Sequence, residues 1–372
     1  MRKRFPWRQG NAIELMVDGE TFFPRMLSEI DQARHSLLLE FYFVTPGMIA
    51  EKFIAALIEA RQRGVMVKLI VDGFGAYRFI RADSQPLQKA GIDLVVYNPL
   101  SALKLTHNFA RDHRKLMVVD QQVAFIGGTG LSDVYWLSEA QGSPWHELMA
   151  RVEGPVVADA VNLFNQLWQR CTAQQLPSAA TLGQPCGDAD VRLRTVQGLY
   201  QQDIKSSFLH RVNRAEDKVW LMTAYFLPSF SIRHALRSAA KRGVDVRLII
   251  AGPYTDQPWV FHASKRFYRR LLAAGVKIYE YQPRFLHAKM AVVDDWATLG
   301  SCNLDHWNLR WNLEANLEIR HSESVQRMSE IFSSDLHHCI EVTYDVWQKR
   351  PWHRRLKEVV WAWISHLVLK IK

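Results

Sequence analysis

The feature that most constrains this chain is that it repeats itself. ARQRGVMVKLIVDG at 60–73, KAGIDLVVYNP at 89–99 and HRKLMVVD at 113–120 return in the same order as AAKRGVDVRLIIAG at 239–252, AAGVKIYEYQP at 273–283 and HAKMAVVD at 287–294. Three different segments recurring in one order imply that a single folding unit was duplicated. The spacing drifts mainly because the stretch between Pro99 and His113 is about ten residues longer than its counterpart.

Each unit alternates strand and helix signals. LLLEFYFV at 37–44 and VWLMTAYFL at 219–227 are apolar, aromatic-rich runs of strand length. AEKFIAALIEARQRG at 50–64 and SIRHALRSAAKRG at 231–243 place apolar residues at helical spacing and end in Gly. VMVKLIVDG and VDVRLIIAG then read as strands. The expected fold class is α/β, with two duplicated halves, each a mixed, largely parallel sheet flanked by helices, packed around one shared active site. The expected organisation is a first half at 1–170, a polar, Gly/Pro/Ala-rich linker at 171–192, a second half at 193–345 and a basic, Trp-rich tail at 346–372.

The repeated His-x-Lys-x4-Asp spacing carries the chemistry. On a strand, alternate side chains share a face, so His113 and Lys115 project together, as do His287 and Lys289. An imidazole beside a fixed ammonium is half a site for a phosphate ester. Two such halves supply a nucleophile, an acid and two cations, so neither a metal nor another cofactor is expected. The candidate catalytic residues are His113, Lys115 and Asp120 with His287, Lys289 and Asp294. Asp120 and Asp294 lie an odd number of positions from their histidines, which suits them to fixing a strand end. Small-residue turns follow each motif; Gly127, Gly128, Ser301 and Asn303 are the candidate substrate-binding residues.

At this point the residues resemble the phospholipase D superfamily, and within it the bacterial cardiolipin synthases. The similarity runs through DHRKLMVVDQQVAFIGG, RVEGPVV, HAKMAVVDDWATLGSCNLD and NLEANLEIR. The start of the chain resembles the short subclass without N-terminal membrane spans. The resemblance implies transfer through a phosphohistidine, with His113 attacking and His287 handling the leaving and entering alcohols. It also implies carboxylates that orient the imidazoles: Glu314 for His287 and Glu147 for His113. Gly130 stands where the family has Asn, which suggests a missing phosphate donor. The second turn follows its Asp one residue sooner than the first, a departure that bears on rate or acceptor preference.

A formal net charge of +10 points to an anionic partner. With the resemblance, the expected partners are phospholipid substrates and an anionic membrane surface, with no nucleic acid; oligomeric state is open. The four scattered cysteines fit neither a disulfide framework nor a zinc site, and His107, His146 and His306 match no metal-ligand spacing. The tail from 351 reads as an in-plane amphipathic helix or a packed terminal helix. The expected location is peripheral, on the cytoplasmic face of the cell membrane. The loop 100–114, with Lys104, Arg111 and Arg114, is a candidate lip over the site, and Trp145, Trp307 and Trp311 are candidates for an acyl groove or for core. Two other functions fit the same residues: a phospholipase D hydrolase or nuclease, and an idle membrane-binding homologue.

Overall fold

A computed structural model describes residues 5–101, 107–136, 143–178, 183–198, 201–305 and 308–350. One sheet runs through both halves. Its strands in chain order are β1 Arg8–Val17, β2 Ser36–Phe41, β3 Met66–Asp72, β4 Asp93–Tyr97, β5 Lys115–Val119, β6 Val123–Gly127 and β7 Leu148–Glu153, then β8 Ala189–Gln197, β9 Lys218–Thr223, β10 Asp245–Ala251, β11 Lys277–Tyr281, β12 Met290–Val293, β13 Trp296–Gly300, β14 Leu313–Arg320 and β15 Cys339–Val342. The spatial order is β4-β3-β2-β5-β6-β7-β1-β8-β14-β13-β12-β9-β10-β11-β15. It reads the same outward from the β1–β8 seam in both directions, except that β15 closes the outer edge of the second half.

The duplication and the mixed sheet are as the sequence predicts. The balance of strand directions is not. Among the described residues, only β2–β3, β3–β4, β9–β10 and β10–β11 pair in parallel, and the other ten pairings are antiparallel. Parallel pairing needs a long crossover, and only the helical connections early in each half supply one. The strands after each His-x-Lys pair return through tight hairpins instead.

The predicted helices form as Met48–Gln62 and Phe230–Lys241. Each buries one stripe, Ile49, Phe53, Ala56, Leu57 and Ala60 in the first and Ile232, Ala235, Leu236 and Ala239 in the second. On the opposite face of the sheet, helices Val156–Thr172 and Ser322–Leu336 pack into one core that crosses the halves, with Phe164 and Trp168 joined to Leu193, Leu317, Met328 and Phe332. The connection between halves is shorter than expected. The helix runs to Thr172, Ala173 turns left-handed at φ 59, and β8 already begins at Ala189. Of the tail, residues 351–372 lie outside the described residues, as do Lys104, His306 and Trp307.

Candidate active site

Lys115 opens β5 beside Phe41, the last residue of β2, and Lys289 stands just before β12 beside the end of β9. Each motif therefore starts at the carboxyl ends of the parallel strands, where α/β sheets leave a crevice. His113, Lys115 and His287 line one cavity of about 650 Å³ between the halves. Its wall includes Tyr42, Arg111, Tyr135, Trp145, Asp256 and Asn312.

The carboxylates are exchanged relative to the sequence expectation. Glu314 lies 3.0 Å from Nδ1 of His113, and Glu147 accepts a short hydrogen bond from Nδ1 of His287. The cause is backbone pairing between the halves. The His113 amide donates to Leu313 O at 2.9 Å and the Leu313 amide to Arg111 O at 2.8 Å. In the mirror arrangement, the His287 amide donates to His146 O at 2.8 Å and the His146 amide to Phe285 O at 2.9 Å. Each histidine is thus strapped beside the residue that precedes the other half's glutamate. An Nδ1–H held by a carboxylate leaves Nε2 with its lone pair free.

Asp120 and Asp294 are not brought to the cavity. Asp120 accepts from the amides of Arg34, His35 and Ser36 at 2.7–2.8 Å, and Asp294 from those of Glu216, Asp217 and Lys218 at 2.9–3.1 Å. At roughly 3.4 Å per residue, the strand puts Asp120 roughly 17 Å from Lys115. Both are removed from the catalytic set. They fix the starts of β2 and β9.

The small-residue turns also work at one remove. Gly128 gives its amide to Leu148 O at 3.3 Å, and a Cβ on it would sit 2.3 Å from Oε2 of Glu147. Its role is to leave room for that carboxylate. A Cβ on Gly127 would meet Leu148 O at 2.5 Å, so this glycine serves the β6–β7 contact. Ser301 is fully buried and donates its hydroxyl to Glu314. None of the three is among the residues that line the cavity. Asn303 does keep a free donor: Oδ1 lies 3.4 Å from the Thr223 hydroxyl, while the buried Nδ2 has no partner among the described residues. Gly130 has a steric reason, since a Cβ there would be 2.1 Å from Phe43 O. The one-residue offset between the motifs is absorbed in hairpins remote from the cavity: three residues separate Val119 from Val123, and two separate Val293 from Trp296.

Burial dominates the electrostatics. It pushes His113 well below its ordinary value, helped by Lys115 and Lys289, and with Lys289 it brings His287 down to about 4. Burial lowers Lys115 to about 7 and also lowers Lys289. Glu314 is pushed up to about 8 by burial, against the pull of Lys115. Burial acts on Glu147 too, but Lys289, 3.3 Å away, and His287 outweigh it and hold this carboxyl below the usual range. Two imidazoles flanked by two lysines are poised for an anion, whose negative charge favours the protonated form of all four groups and so opposes the effect of burial.

Sequence reasoning names Trp145 and Arg111 but misses the two tyrosines beside this constellation, Tyr42 and Tyr135. Tyr42 packs edge-on against His113 at 4.7 Å, with Lys115 Nζ 5.0 Å from its ring centre. The Tyr135 hydroxyl is 3.4 Å from Nδ1 of His287. Trp145 lies 5.3 Å from the same ring and lines the cavity, whereas Trp311 packs on Phe109. Of the loop cations, Arg111 reaches the cavity, but Arg114 alternates to the far face and pairs with Glu40 at 3.3 Å. The available signal was position: Tyr42 directly follows β2, whose carboxyl end opens on the cavity.

The two-segment match to a family model described as cardiolipin synthase, PLD-like domain, covers residues 26–168 and 208–336, one segment in each half. The chain belongs to that family. The cardiolipin synthase B of Salmonella typhi is 34% identical over 363 residues, spanning 95% of this chain and 87% of its own. A cardiolipin synthase of Geobacillus kaustophilus is 31% identical over 364 residues, covering 95% and 72%. The crystal structure of phosphatidylserine synthase from Haemophilus influenzae superimposes with a TM-score of 0.77 over 99% of this chain and 96% of that one. At 13% identity, that likeness speaks for the fold alone. Family membership accounts for the duplicated half-sites together: the two segments of the match contain one His-x-Lys pair each.

Proposed function

We propose that this protein is a cardiolipin synthase, which moves a phosphatidyl group from phosphatidylglycerol to the hydroxyl of a second phospholipid. The observation that carries this reading is that two imidazoles from different halves line one cavity, each held by a carboxylate of the other half. The bound phosphodiester's negative charge favours protonation of His287; Nε2 of His113 then attacks phosphorus, and the bond from phosphorus to the glycerol oxygen breaks as the protonated His287 gives its Nε2 proton to that oxygen. Lys115 and Lys289 balance the non-bridging oxygens, with Asn303 as a further donor. The acceptor hydroxyl then gives its proton to His287 and attacks the phosphohistidine, which frees His113. Lys289 thereby does the charge work at one face and Lys115 at the other, so the chain's own residues suffice for the cycle.

The substrate arrives from a membrane surface in this reading. Phe74, Tyr77 and Leu100 are exposed apolar residues on the cavity wall, next to Arg78, and the chain is strongly basic. No helix among the described residues is long and apolar enough to cross a membrane. Peripheral attachment on the cytoplasmic face fits this surface.

Purified protein incubated with phosphatidylglycerol labelled in its acyl chains should yield labelled cardiolipin and free glycerol. His113→Ala and His287→Ala should each lower the rate by about 10³-fold while leaving the melting temperature in place. Phosphatidic acid without cardiolipin would identify a hydrolase instead. Full turnover by both variants would leave an idle homologue of the fold with a contaminating activity.

A further inference from the structure

The cavity is symmetric in its histidines but not beside them. Two positions before His113 stands Arg111, and two before His287 stands Phe285. The neighbouring strand differs in step: Asp72 ends β3 where Ala251 ends β10. Arg111 Nη1 is 3.3 Å from Asp72 Oδ1 and 3.0 Å from Asn98 O. Asp72 is itself fully buried, and its oxygens also take the amides of Phe74, Gly75 and Asp112 at 2.8–3.0 Å. A buried ion pair is expensive to desolvate and adds little to stability. The second half does without one at the same place, where Phe285 packs on Trp145 at 4.8 Å. The fold therefore does not require the pair.

What the pair provides is a cation held rigidly at the cavity wall. Arg111 is only 6% exposed, yet Nε and Nη2 have no partner among the described residues. It lines the same cavity as His113 and Lys115, two residues from the histidine, roughly 7 Å of extended chain. A three-carbon glycerol bridge with its two ester oxygens spans a distance of that order between phosphorus atoms. We propose that Arg111 is a second phosphodiester site: it holds the intact phosphate of the acceptor phospholipid while the acceptor's terminal hydroxyl attacks the phosphohistidine. This rests on the transferase reading above and goes further, because it makes a charged phosphodiester, rather than an alcohol alone, the recognised feature of the acceptor. A guanidinium offering two N–H groups suits a phosphate's paired oxygens.

The test sets two acceptors in competition. Wild-type protein receives phosphatidylglycerol vesicles and labelled free glycerol, and the ratio of cardiolipin formed to glycerol incorporated is measured. In Arg111→Gln this ratio should fall about tenfold or more, and in Arg111→Lys, which keeps the charge but loses the fork, it should fall less. The double variant Asp72→Ala/Arg111→Phe copies the second half, leaves no lone buried carboxylate and should show the same fall. Deacylated glycerophosphoglycerol should inhibit wild-type cardiolipin formation and lose about tenfold in potency against Arg111→Gln, which separates grip on phosphate from grip on acyl chains. A ratio unchanged in both charge-removing variants, equal loss of both products or unchanged inhibitor potency overturns the assignment. A wild type that forms neither product overturns the transferase reading, and this site with it.

Discussion

The two half-sites share one geometry and differ in nearly every supporting residue. At His113 the orienting carboxylate is Glu314, backed by the Ser301 hydroxyl, and Lys115 is bonded to the His113 carbonyl at 2.6 Å. At His287 it is Glu147, which has Gly128 against its carboxylate and a lysine directly on it at 3.3 Å. The first carboxyl is pushed up to about 8, foremost by burial; the second stays below the usual range because Lys289 and His287 outweigh burial. A direct ammonium contact, added to the pull of the histidine, holds the buried Glu147 below its usual range. The backbone straps differ too, with Leu313 beside His113 and the charged His146 beside His287. Duplication preserved the pose of the imidazoles while their surroundings diverged. That divergence suits two histidines with different tasks in one cycle.

The sharpest way to break this comparison is to disturb each carboxylate's support by one methyl or one hydroxyl. Gly128→Ala puts a Cβ into the Glu147 carboxylate, and a displacement of that size should lower kcat about 100-fold. Ser301→Ala removes one hydrogen bond to Glu314 and should cost about tenfold. Steady-state assays on both variants, with melting temperatures as a control for folding, give the order. If Ser301→Ala proves the more damaging, Glu147 is not the more tightly seated of the two.

A smaller effect concerns the straps. His146 is buried, which favours the neutral ring, but hydrogen bonds to Asp18 at 2.9 Å and Asp335 at 3.0 Å raise it to about 9. Unfolded histidine titrates near 6.5, so the stabilisation is complete below that pH and is lost as pH rises through about 9. The shift corresponds to a few kcal/mol, on the order of 3. Unfolding free energies measured from pH 6 to 10 should fall on the alkaline side in wild type. His146→Leu, which copies the Leu313 strap, should flatten that fall. Parallel curves for the two proteins would mean that the charged strap contributes nothing.

Much of this was legible in the chain because duplication supplies its own control. The two half-sites, the sheet-and-helix alternation and the helices at 48–62 and 230–241 follow from repeated apolar spacing. Alternation along a strand puts His113 with Lys115, whereas the expectation that Arg114 joins a lip over the site fails because its side chain pairs with Glu40 on the far face. Three things were not legible. Strand direction after the motifs depended on whether the turns Asp120–Gln122 and Asp294–Asp295 close hairpins, which apolar runs do not reveal. The exchange of Glu147 and Glu314 depends on strap pairing between residues some 140 and 200 positions apart, and no local pattern records which half a carboxylate serves. The Arg111–Asp72 pair and the His146 clasp join residues that look like ordinary loop and strand-end charges until the halves are closed together.

The central claim is that both histidines act on one phosphorus, with His113 forming the covalent bond. Protein mixed with phosphatidylglycerol labelled at phosphorus, quenched in milliseconds and digested, can be mapped by mass spectrometry. The account predicts label on His113 and none on any histidine of His113→Ala. Label that persists on another residue of that variant, or turnover with no labelled histidine in wild type, would contradict it.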